Sequence, residues 1–117
     1  MGFTVVDETD VEPFRGAFFK MRQALGASGF GINFVRLPAG VSGPPHDETT
    51  HGHEEVYVVL EGSGWLDVGG ERVELRPGRW LRVDAVEERQ LHAGPDGIGM
   101  LAAGGTPGAA FTPDEGL

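Results

Sequence analysis

The chain has 117 residues, the size of one ordinary domain, with 39% hydrophobic and 23% charged residues. Nine Lys+Arg against 18 Asp+Glu give a net charge of −9, which argues against nucleic acid and anionic membrane surfaces as default partners. There is no cysteine, so disulfide and thiolate chemistry are excluded. No apolar run nears the ~20 residues of a bilayer span, and residues 1–7 lack the basic and apolar regions of a signal peptide; a reduced cytoplasmic protein is expected.

Residues 3–6 pattern as a short strand. In residues 10–25, Phe14, Ala17, Phe18, Met21 and Leu25 recur at helical spacing, so an amphipathic helix is predicted, with Asp10 as its N-cap. Residues 30–37 alternate as a strand, and 38–45 form a Gly/Pro loop. Residues 55–60 are the most strongly β-patterned segment, closed by the turn Glu61-Gly62-Ser63-Gly64. Residues 65–68 and 71–75 make a hairpin around Gly69-Gly70. Pro77-Gly78 turns the chain into a strand at 80–83, and residues 87–92 and 99–103 supply the last two strands. Glycine is 20 of 117 residues, spaced between these runs, as many tight turns between short strands require. The pattern predicts an all-β sandwich or barrel. The organisation expected is an N-terminal strand and helical extension over 1–29, a barrel over 30–103, and an extended tail over 104–117.

Three of the four histidines, His46, His51 and His53, fall in the stretch HDETTHGHEE with Asp47, Glu48, Glu54 and Glu55 among them. Imidazole and carboxylate are the usual ligands of Zn, Fe, Mn and Ni. His51, His53, Glu55 and Tyr57 share strand parity, so one face would carry them all. A second element must complete such a site, and His92 is the remaining imidazole. Tyr57 would turn its hydroxyl into the cavity. Trp65 is a candidate ligand-stacking ring, with barrel-wall packing as its alternative. No nucleophile arrangement is expected, because Ser28, Ser42 and Ser63 sit in glycine-rich turn contexts.

The stretch HGHEEVYVVLEGSGWLDVGGERVELRPGRWLRV resembles the cupin superfamily, over about residues 30 to 103. Glu55 followed by Gly62 matches the end of the first cupin motif, and Pro77-Gly78 with the strand after it matches the second. The resemblance implies a cupin-type double-stranded β-helix, or jelly-roll barrel, with a short N-terminal extension. It also implies a homodimer built through an N-terminal strand. Two ligand positions depart from the motif: Thr49 stands where the first His is usual, and Arg89 where the second motif's His is usual. Two readings follow. In one, His46, His51 and His53, with Glu55 or His92, bind a divalent metal, and a dioxygenase, isomerase or cyclase acts on a small molecule through Glu55 and Tyr57. In the other, a metal-free binding or sensing module pairs Arg89 with Glu55 in the cavity, and Arg89 anchors an anionic ligand.

Overall fold

The computed structural model describes residues 2–113 and 116–117; Met1, in the expected extension, and Asp114 and Glu115, in the expected tail, lie outside the described residues. Among these described residues six strands follow one another as β1 (Phe18–Phe19), β2 (Gly31–Leu37), β3 (Glu54–Val68), β4 (Glu71–Leu75), β5 (Trp80–Val83) and β6 (Arg89–Gly105), with one short α-helix, α1 (Met21–Leu25), between β1 and β2. The pairings between these strands are all antiparallel. The hydrogen-bonded order is β1-β2-β6-β3-β4, with β5 also on β3.

The architecture turns on two long bent strands. The sequence pattern divides residues 55–68 and 87–103 into two strands each, but β3 and β6 run without a break and pair from Glu54↔Gly105 to Val68↔Arg89. The ladder shifts register between Val59 and Glu61 and between Gly62 and Gly64. Gly62 there has φ 69°, a left-handed value that bends the strand rather than ending it. Beyond the bend, β3 exchanges its neighbours: its first half pairs with β5 and its second half with β4. Both halves therefore turn one face inward. Val35, Leu37, Tyr57, Val59, Leu66, Leu75, Leu91 and Met100 meet in one core, which makes the fold a jelly-roll barrel.

The N-terminal region differs from its pattern. Residues 3–6 are not a strand, and Phe3 and Val5 are 78% and 80% exposed. The helix is confined to Met21–Leu25, and Asp10 ends a 3-10 turn instead of capping it. Pro13 disfavours helix at the residue before it. Arg15 and Gly16 then take φ of 54° and 72°, closing a tight turn in which Phe14 and Phe18 exchange backbone hydrogen bonds of 2.8 and 3.0 Å. The helical spacing of the Phe residues is thus overridden by a turn that sends Phe18 into β1.

The loop before β3 behaves as an interrupted edge strand. His46 and Arg89 exchange backbone hydrogen bonds of 2.9 and 2.8 Å, and Gly43 donates to the Leu91 carbonyl at 2.8 Å. Pro44 and Pro45 lack the N–H groups that would make this a continuous ladder. At the other end, the described tail residues pack on the barrel: Leu117 is buried, its carbonyl accepts from Arg22 Nε, and that of Gly116 accepts from Asn33 Nδ2. No helix among the described residues is long and apolar enough to cross a membrane.

Candidate functional site

The barrel holds a cavity of about 210 Å³ with Val35, Leu37, Leu66, Leu91 and Met100 on its apolar wall. Its polar side is built by two strands and one loop. Glu55 and Tyr57, two residues apart on β3, both face inward, and the Tyr57 hydroxyl donates to Glu55 Oε1 at 2.7 Å. Arg89 opens β6 and His46 faces it across the backbone pair, so both side chains reach the same space. Glu48, held by its N–H to the Ala85 carbonyl, completes the group.

Donor atoms of His46, Glu48 and Glu55 lie within 4.8 Å of one another. His46 Nε2 is 3.4 Å from Glu48 Oε1 and 3.7 Å from Glu55 Oε1. One imidazole nitrogen and two carboxylate oxygens at the wall of a cavity fit a divalent cation and leave positions open toward that cavity. Glu55 and Arg89 are both buried, their side chains 5% and 1% exposed, with Nη1 4.0 Å from Oε1. Arg89 Nη2 donates to the Asp84 carbonyl at 2.9 Å, while Nε and Nη1 have no hydrogen-bond partner among the described residues. Two buried guanidinium donors beside a cavity are a costly arrangement that a bound acceptor would relieve.

Two titrations are displaced. The Glu48 carboxylate, and after it that of Glu55, raises His46 from 6.5 to about 9 against the opposing effect of burial. Burial first, and then the Glu55 charge, pushes the Tyr57 phenol well above its ordinary value, so its hydroxyl keeps its proton and remains a donor. The imidazolium of His46 is thus favoured in the folded state. In metal-stripped protein that stabilisation is complete below pH 6.5 and is lost as pH rises toward about 9. The denaturant midpoint is expected to fall across that interval in the wild type and to stay nearly level in His46→Gln; equal slopes for the two proteins would remove the assignment.

The other expected ligands are placed elsewhere. Regular strand begins at Glu54, and Gly52 takes φ 67°, so the parity of β3 does not extend to His51, which is exposed. His53 is buried, but its Nε2–H donates to the Thr112 carbonyl at 2.8 Å and its ring stacks 5.0 Å from Phe111; it holds the tail. His92 has the opposite parity to Arg89, Leu91 and Ala93, and no bulge intervenes, so it points out of the barrel. There its Nδ1 is 2.6 Å from Ser42 Oγ and its Nε2 2.9 Å from Asp67 Oδ2. Trp65 pairs with His92 across the ladder, the rings 5.0 Å apart, and does not line the cavity. Contrary to the expectation from its glycine-rich context, Ser42 is thus aligned with His92 and Asp67. Sequence spacing does not single out Glu48; its nearness to His46 in HDE is the cue the chain offers.

Residues 33–98 match a family described as the Cupin domain. The structure is similar to a cupin protein from Bacteroides fragilis, at 26% identity and a TM-score of 0.78, covering 97% of this chain and 92% of that one. It shares its fold with a protein described as a predicted oxalate decarboxylase from Thermotoga maritima, at 20% identity and a TM-score of 0.70, over 93% of this chain and 100% of that one. It is also similar to part of a salicylate 1,2-dioxygenase from Pseudoaminobacter salicylatoxidans crystallised with gentisate, at 25% identity and a TM-score of 0.60, over 66% of this chain and 20% of that one. No curated protein sequence matches the chain significantly.

Proposed function

This chain belongs to the cupin domain family, and from that premise we propose that it holds a divalent metal ion at His46, Glu48 and Glu55 and takes a small organic anion beside it. The observation that carries this reading is the convergence of those three donors at the wall of one apolar cavity that also holds buried Arg89. A borderline or hard cation such as Zn, Fe, Mn or Ni suits the donors. When bound, it would supply Lewis acidity, or oxygen chemistry if it is iron.

The residues divide the remaining work. Arg89 offers its unpartnered N–H donors at Nε and Nη1 to a carboxylate, and the hydrocarbon wall accepts the body of the ligand. Tyr57, its phenol kept protonated by burial, donates to Glu55 Oε1 and so holds that carboxylate in place at the cavity wall. Relatives bearing the names of a decarboxylase and a dioxygenase support an enzyme acting on a small acid, and a dioxygenase, isomerase or cyclase is the activity to assay.

The metal-free reading has its own support: protonated His46 and Arg89 would balance Glu48 and Glu55 without an ion. Metal analysis separates the two. Protein prepared without chelator or affinity tag is expected to carry about one metal per chain, and Glu48→Gln to lower affinity by about 100-fold or more. Below about 0.1 metal per chain after reconstitution, the metal reading fails and only the anion site stands.

The expected dimer also remains a proposal. Phe3 and Val5 present an exposed apolar arm, and light scattering is expected to give twice the 12.4 kDa of one chain; a single-chain mass would refute it.

A further inference from the structure

We propose that Ser42, on the outer face of the barrel and away from the cavity, is a base-activated nucleophile that accepts acyl groups from small carboxylic esters. The argument starts from strand geometry. Gly43 N–H donates to the Leu91 carbonyl and Ala93 N–H to the Val41 carbonyl, at 2.8 and 2.9 Å, which makes Ser42 and His92 a non-hydrogen-bonded antiparallel pair. Such pairs bring their side chains closest together and turn their own N–H groups away from the partner strand. Ser42 Oγ thereby lies 2.6 Å from His92 Nδ1.

The third member sets the tautomer. Asp67 Oδ2 lies 2.9 Å from His92 Nε2. A carboxylate can only accept, so the proton sits on Nε2, and in the neutral ring Nδ1 carries the lone pair. The Ser42 hydroxyl then donates to Nδ1, the arrangement a general base needs before nucleophilic attack. Stacking on Trp65, at 5.0 Å and 17° between planes, fixes the ring, and Arg72 packs 4.0 Å over the Trp65 ring. Exposure runs the useful way: Ser42 is open to solvent while the His92 side chain is 17% exposed. The backbone N–H of Ser42, turned away from β6, is the available donor for the oxyanion.

The step balances without further reactants than ester and water. Oγ forms a bond to the acyl carbon as its proton passes to His92 Nδ1. The tetrahedral intermediate collapses by breaking the bond to the alcohol or phenol oxygen, which takes that proton from His92. Water then repeats the attack and releases the carboxylic acid. This activity uses none of His46, Glu48, Glu55 or Arg89.

The test is acetylation by p-nitrophenyl acetate, followed by the release of nitrophenol, intact mass and peptide mapping, on metal-stripped and metal-loaded protein alike. Wild type is expected to acquire one acetyl group at Ser42, at least about 100-fold faster than exposed Ser28. Ser42→Ala should abolish it, and His92→Gln and Asp67→Asn should each slow it by about 10-fold or more while melting like the wild type. Absence of acetyl at Ser42, labelling no faster than at Ser28, or full labelling in His92→Gln overturns the proposal. Because stripping the metal leaves these residues in place, loss of metal binding would not mimic failure here.

Discussion

Replacing Arg89 with Met is expected to cost about 3 kcal/mol of stability, the low end for breaking a buried ion pair from one side. The cost arises less from the lost attraction than from what remains. Glu55 stays buried, with the Tyr57 hydroxyl at 2.7 Å and His46 3.7 Å away, but without the guanidinium that faces it at 4.0 Å. The hydrogen bond from Arg89 to the Asp84 carbonyl is lost as well. Out of a total of about 5–15 kcal/mol for a domain, this is a large share. The double variant Glu55→Leu/Arg89→Met removes both charges and is expected to recover part of the loss, since apolar replacements of a buried pair can be neutral or stabilising. Guanidinium denaturation of the four proteins of this cycle measures the coupling. A single variant within about 0.5 kcal/mol of wild type would show that Arg89 does not offset Glu55 in the fold. Arg89→Lys addresses the ligand: it keeps the charge and loses the guanidinium's several fixed N–H donors, so a carboxylate ligand should bind more weakly, and unchanged affinity would remove Arg89 as its anchor.

Gly62→Ala is expected to be the most damaging single methyl that can be added. Gly62 has φ 69°, and its new Cβ would run into the carbonyl of Gly97 on β6, at the bend between the two long strands. Left-handed backbone costs an alanine about 1–2 kcal/mol by itself. The collision adds a second cost, because backbone on backbone cannot move aside without breaking the ladder. We expect a loss of about 4 kcal/mol or more, or failure to fold. Two controls separate the causes. Gly70→Ala has φ 81° and open space, and should show the backbone cost alone. Gly105→Ala has open space without a left-handed φ and should be close to neutral. If Gly62→Ala melts like Gly70→Ala, the close crossing is not what shapes the barrel.

Much of the strand order was legible along the chain. The hairpin around Gly69-Gly70, the turn at Pro77-Gly78 and the core parity of Tyr57 and Val59 follow from local pattern, and the structure has them. The breaks predicted near Gly62 and Gly97 are bends, because glycine permits a left-handed residue inside a ladder as readily as at its end. The helix predicted over 10–25 gives way to a turn at Arg15 and Gly16, where tertiary pairing of Phe18 with Val35 outweighs spacing.

Local chemistry alone thus determined the all-β class, the acidic character, the absence of thiol chemistry and the presence of an imidazole and carboxylate stretch. Only the tertiary structure decided which histidine reaches the cavity. His46 gets there because its backbone pairs with Arg89, a partner 43 positions away along the chain that spacing cannot anticipate. Glu48 follows it through the Ala85 contact, His53 is claimed by the tail, and His92 is turned outward by one step of strand parity. Side-chain direction is local, but what lies in that direction is set by strands that meet only when the barrel closes.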